Sequence, residues 1–208
     1  MKKMNSVKRF ALVAMAFCLT TATFVACDDD DDPNTEDTKT LQDVNGSYTG
    51  KVTFDISGAT VPVDVTATVK DGAVNFSALP VADLVGLILS EQPELASSVK
   101  EQLKDGIAYS IKYTAAYDDA TQKTAIELTL TPEPLSVQFN TPVPNIGDVP
   151  STVTVSIKTD KAGTYTYASN KLAFDLSIDN VTLTVGGVDT PVELTAGLSF
   201  DLTKDAAK

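Results

Sequence analysis

The chain has 208 residues, with 28 acidic against 16 basic side chains, two Cys, no His and no Trp. Without His there is no Ser-His-Asp triad and no imidazole zinc site, and two Cys cannot supply four thiolates. A net charge of −12 has the wrong sign for gripping nucleic-acid phosphates, while 43% hydrophobic residues suffice for a packed core.

The chain opens on a basic stretch holding Lys2, Lys3, Lys8 and Arg9, followed by an uncharged apolar run from Phe10 to Ala26 and then Cys27. That order reads as a secretory signal peptide over 1–26. Phe24-Val25-Ala26-Cys27 resembles a lipobox, the site at which a bacterial signal peptidase cuts and a lipid is attached to the Cys. Multiple acyl chains on Cys27 give stable anchoring where a single chain is marginal. Cys18 is lost with the signal peptide, so the mature chain has one Cys, used by lipid.

Asp28, Asp29, Asp30, Asp31 and Asp32 follow directly, and 27–40 reads as a solvated, self-repelling tether. This acidic cluster resembles the export signal of Bacteroidetes-type lipoproteins destined for the cell surface. The expected location is therefore the outer membrane, lipid-anchored and facing the exterior, with the periplasmic face as the alternative.

From 41 to 208 the pattern is that of one β-rich domain, with Thr and Ser alternating against Val, Ile, Leu and aromatics. Tyr48, Val52, Phe54 and Ile56 share a face, as do Val61, Val63, Val65, Ala67 and Val69. Asp71-Gly72 predicts a tight hairpin into Val74, Phe76 and Ala78. Helical spacing then appears at Val81, Leu84, Val85 and Ile88, and again at Leu95, Val99 and Leu103. Pro93 suits a first turn and Gly106 a cap, so two short helices, or one broken near Ser90, are expected within about 81–104.

Ile107, Tyr109, Ile111, Tyr113, Ala115 and Tyr117 resume the alternation, and Ile126, Leu128 and Leu130 return after a turn at 118–121. Pro132 and Pro134 interrupt the ladder, and Leu135, Val137 and Phe139 continue with shifted phase. Thr141 to Pro150 reads as a loop. Val153, Val155 and Ile157 form a strand with which Tyr165 and Tyr167 are expected to pair. Leu172 to Ile178 and Val181 to Val185 are two stretches separated by a turn at Asp179-Asn180. Val192 to Leu202 closes the chain.

Short hairpins between most strands favour a meander that curls closed to remove its edges. The expected fold is mainly β: an antiparallel lipocalin-like barrel or half-barrel with a helical insertion covering one mouth, the alternative being a two-sheet β-sandwich. Asp43-Val44-Asn45-Gly46-Ser47-Tyr48-Thr49-Gly50-Lys51, Leu79 to Val85 and Leu128 to Leu135 resemble an uncharacterised family of Bacteroidetes-type surface lipoproteins. That resemblance implies a lipocalin-like or other β-rich surface lipoprotein and brings no catalytic residues.

No phosphate loop, dinucleotide fingerprint or nucleophile elbow is present, and the acids fall mostly in turns, such as Asp71, Asp118, Asp119, Asp160 and Asp179. No catalytic residue, metal or cofactor is expected. Tyr109, Tyr113 and Tyr117 lie at four-residue steps on one strand face and are the candidate ligand-lining residues, with core or rim packing as the alternative. The expectation is a non-enzymatic lipoprotein, held to the membrane by its lipid, that binds a small molecule, glycan or protein through a barrel mouth or sheet face. The alternative is a structural or adhesive, fimbrillin-like surface protein.

Overall fold

Eleven antiparallel strands and two short helices make up the domain in a computed structural model that describes residues 39–206, apart from 57, 90, 91 and 144. The segment expected to be a signal peptide, Cys27 and Asp28–Asp32 lie outside the described residues. A 3-10 turn, Leu41–Val44, leads into β1 (Gly46–Ile56), β2 (Ala59–Lys70) and β3 (Ala73–Leu79). Helices α1 (Ala82–Ile88) and α2 (Pro93–Gln102) precede β4 (Ile107–Tyr117) and β5 (Ala125–Pro132). Then come β6 (Leu135–Val143), β7 (Gly147–Lys158), β8 (Gly163–Thr166), β9 (Lys171–Val185), β10 (Val188–Val192) and β11 (Ala196–Lys204).

Eight of these strands close a ring in the order β11-β1-β2-β3-β4-β5-β8-β9, and β9 returns to β11. The expected barrel is therefore closed, and the sandwich alternative is not the fold. Inward positions alternate with outward ones: on β1, Tyr48, Val52, Phe54 and Ile56 are buried while Ser47, Thr49, Lys51 and Asp55 are exposed. At Asp71-Gly72 both residues take positive φ, 55° and 74°, which matches the right-handed twist of a two-residue hairpin. Two seams of the ring are only three residue pairs long: β8–β9, and β2–β3, which pair over Thr68–Lys70 and Ala73–Asn75. Pro62 and Asp64 lie on the stretch of β2 beyond that pairing, where a missing donor and a charge discourage strand addition.

The barrel is filled. An eight-stranded ring is just wide enough for side chains to meet across it. Phe200 of β11 stacks on Phe174 of β9, with centroids 4.5 Å apart, and leans on Phe76 of β3 at 5.3 Å. All three rings are nearly inaccessible. Burying each is worth about 1.5–3 kcal/mol.

Three expectations are corrected beyond Pro132. The segment read as a loop, 141–150, is instead the end of β6 and the start of β7, paired from Thr141↔Val149 to Val143↔Gly147. Pro132 and Pro134 mark where the chain leaves the barrel, and the β6–β7 hairpin stands outside the ring. Tyr165 and Tyr167 do not pair with the Val153 strand: β8 joins β5 and β9. Asp179-Asn180 is no turn either, because β9 runs on as one 15-residue strand.

Along β9, Leu172, Phe174, Leu176 and Ile178 are buried, and then Val181. The register against β7 steps from Ile157↔Ile178 to Ser156↔Asn180, leaving Asp179 as the extra residue of a bulge. The first half of β9 belongs to the barrel. Its second half is the centre of a flange, β6-β7-β9-β10.

Both helices form where the spacing predicts them. Pro93 opens α2, and the Gly106 N–H bonds Leu103 O with φ +72°. Strand directions place the helix pair and the flange at one end of the barrel, where β3 ends and β4 begins. Val81, Leu84, Val85 and Val99 are buried in one core with Leu135, Val137, Val153 and Val155. Gln102 of α2 acts as a one-residue strand: its amide donates to Asn140 O at 3.2 Å and accepts from Asn140 N at 3.0 Å. That pairs Asn140 on the outer edge of β6, the last strand of the sheet path. Gln102→Ala is expected to cost less than about 1 kcal/mol in urea titration, because the two backbone groups it frees are exposed to water, and to promote self-association in sedimentation velocity, because they become available to another strand.

Candidate functional site

The end of the barrel opposite the helices is closed by the chain itself. Residues 39–45 form a strap across this base, which is also bordered by the β2–β3, β4–β5 and β8–β9 turns. The strap is stiffened locally: the Asp43 carboxylate accepts the Thr40 N–H at 2.7 Å and the Thr40 hydroxyl at 3.1 Å, and Asn45 donates to Gln42 at 2.6 Å. Thr40-x-x-Asp43 was a readable helix-start signal.

Tyrosines tie the strap down. Tyr48 donates to Val44 O at 2.6 Å, Tyr117 to Lys39 O at 3.1 Å and Tyr167 to Thr40 O at 2.8 Å. Tyr113 reaches Asn45 Oδ1 at 3.4 Å, and Lys204 donates to Asp43 O at 2.5 Å. Four of the six tyrosines thus spend their hydroxyls on one seven-residue segment. The structure divides the predicted trio accordingly. Tyr113 and Tyr117 sit half-buried under the strap, whereas Tyr109, also half-buried, lies toward the helix end and donates to Glu133 O at 2.7 Å. Sequence reasoning missed Tyr48 and Tyr167 because their targets are backbone carbonyls, which no side-chain pattern marks.

Burial pushes these phenols up. Tyr109 is raised to about 12, with the Glu133 charge adding to burial, and Tyr167 to about 12, with Asp43 adding most after burial. Tyr48 is raised further, by burial first and then by Tyr165 and Tyr113. Above the ordinary tyrosine value of about 10, the unfolded chain releases protons that the native barrel retains, so stability falls as pH rises. The contribution is complete below about 10 and is lost as pH climbs through about 12. Tyrosinate absorbance is expected to appear in one cooperative step with the loss of β circular dichroism. Independent titration near the ordinary value would contradict the strap geometry.

Outside the filled lumen, a groove of about 580 Å³ runs over the polar face of the flange. Gln138, Asn140, Thr152 and Thr184 line it beside Gln102, with Phe139 and Gly187 at its margins. Registers Gln138↔Thr152 and Thr152↔Thr184 set these side chains in a row across three strands. The row offers amide and hydroxyl groups without a charge, a chemistry suited to hydroxylated ligands. No group of three acidic or thiol side chains disposed to hold a metal ion occurs among the described residues.

A closed antiparallel barrel with a filled lumen, a strapped base and a polar flange is thus the class of protein this chain forms. A family model described as a domain of unknown function (DUF4840) matches residues 43–183, more than half of the chain, and the chain belongs to that family. The match covers most of the barrel and ends within β9, before the closing strand β11. No curated protein and no solved structure matches the chain.

Proposed function

We propose that the protein is a non-enzymatic, lipid-anchored protein of the cell envelope, exposed at the outer-membrane surface, that binds its ligand on the outer face of the flange. The observation that carries the binding reading is the filled barrel with both ends covered. Phe76, Phe174 and Phe200 occupy the lumen, the strap closes one end and the helix pair the other, which leaves outer faces for recognition. The neutral row of Gln138, Thr152 and Thr184 favours a hydroxyl-rich partner such as a glycan, bound by hydrogen bonds on a preformed surface. The anchor rests on Ala26-Cys27 after the apolar run, and surface exposure on Asp28–Asp32.

A glycan panel probed with purified 39–208 tests the binding reading. Gln138→Ala with Thr184→Ala should weaken any hit at least tenfold while leaving the circular dichroism spectrum unchanged, since each lost ligand hydrogen bond is worth about 1 kcal/mol. A hit untouched by both changes sinks the flange assignment. For the anchor, Cys27→Ala should move the protein from the membrane to the soluble fraction. Replacing Asp28–Asp32 by Ala should remove protease accessibility on whole cells.

A further inference from the structure

We propose that the barrel stands base-down on the lipid surface, with its strapped end against the headgroups and its helix–flange end held away from them. The inference rests on the lipid-anchor reading and adds to it the face that meets the membrane.

Two independent features of the molecule point to this stance. The first is where the chain enters the barrel. Lys39 is fixed at the base, its carbonyl held by Tyr117 and its ammonium 5.1 Å from the centre of the Tyr167 ring. Eleven residues separate it from Cys27, and their twelve Cα–Cα steps span at most about 40 Å. An 11-residue strand such as β1, tilted as in a barrel, rises about 28 Å. For the flange to touch the bilayer, the tether would have to be drawn nearly straight along the barrel wall. With the base down it has slack.

The second is charge. The base segments 39–45, 70–73, 117–125, 166–171 and 203–206 carry five lysines against five acids: Lys39, Lys70, Lys123, Lys171 and Lys204 balance the aspartates. The described residues of the opposite end, within 80–106, 133–162 and 178–195, carry ten acids against four lysines. An anionic bilayer attracts lysines within a Debye length of its surface and repels the acidic end. Reach and charge therefore select the same orientation.

The test uses the full chain, matured and lipidated in a bacterial host and reconstituted into phosphatidylethanolamine–phosphatidylglycerol vesicles. A fluorophore is placed on Ser169→Cys in the exposed β8–β9 turn or on Ile146→Cys at the exposed flange tip, and quenched by headgroup-attached spin labels. Quenching is expected to be several-fold stronger at 169 than at 146. Lys70→Glu with Lys123→Glu should reduce that ratio, and an unchanged ratio overturns the part given to the base lysines. Equal quenching, or stronger quenching at 146, in protein that floats with the vesicles overturns the stance while leaving the anchor reading standing. Protein that does not float overturns the anchor reading and the stance with it.

Discussion

Gly50→Val is expected to prevent the barrel from closing. Gly50 occupies an inward position of β1 between Tyr48 and Val52, where every neighbour on that face is large. Its strand partner is Leu202 of β11. A Cβ built on Gly50 would overlap the carbonyl oxygen of Asp201 and lie 2.8 Å from Leu202 Cα. Both are backbone atoms and neither can rotate aside. The β1–β11 pair joins the first and last strands of the ring, so parting it opens the barrel along its length. Overpacking with repair costs about 1–3 kcal/mol. Here the repair itself removes ladder hydrogen bonds, so Gly50→Ala should cost about 3 kcal/mol and Gly50→Val about 5 kcal/mol or more. A domain with the usual stability of about 5–15 kcal/mol does not survive the second comfortably. Far-ultraviolet circular dichroism during urea titration reads the effect in a chain that lacks Trp. Thr53→Ala, an outward change on the same strand, should stay within about 0.5 kcal/mol. A Gly50→Val protein as stable as the parent would show that β1 and β11 do not approach as described.

Tyr48→Ala is the second large effect, at about 3–5 kcal/mol. The ring is 1% exposed and meets Tyr165 edge-on at 6.5 Å, so its loss leaves a hole beneath the strap. The hydroxyl adds a separable contribution, because Val44 is buried and its carbonyl accepts from Tyr48. Tyr48→Phe orphans that carbonyl, at about 1–3 kcal/mol. Tyr109→Phe, whose hydroxyl serves an exposed carbonyl, should cost less than about 1 kcal/mol. Proteolysis separates strap release from general loosening. Cleavage after Lys39 should accelerate more in Tyr48→Phe than cleavage at Lys112, which lies within β4. Equal acceleration at both sites would mean that the strap is not held by Tyr48.

Much of the barrel is legible in the sequence because period-two alternation reports which side chains share a face. Val52 and Phe54, Ile126 and Leu128, Leu198 and Phe200 all declare themselves this way, and Asp71-Gly72 declares its own turn. Alternation does not report neighbours. Tyr165 faces inward as its pattern implies, but its strand joins β5 and β9 instead of the nearest upstream strand, a pairing set by closure of the ring. The flange was hidden for a related reason. Pro142 and Pro150 look like loop residues, yet they sit opposite Asp148 and Asn140 in a hairpin that stands outside the barrel, where prolines are tolerated. At the base, Tyr113 and Tyr117 were found as a pattern, while the carbonyl of Lys39 that Tyr117 grips carries no mark in the sequence.

The bulge at Asp179 gives β9 something like a reading frame. Upstream of it, even-numbered residues such as Phe174 face the barrel core, and beyond it odd-numbered Val181 takes the buried side. Asp179 is the residue that shifts the parity: deleting it alone would make the ladder regular and keep Val181 inward with Thr182 and Thr184 outward, whereas one residue inserted beside it without a further bulge would exchange the two faces of the flange strand. Point substitutions never reveal such a constraint, since none of them changes the count. Homologous chains should therefore vary freely in composition here while either keeping the one extra residue between Ile178 and Val181 or losing it together with the bulge.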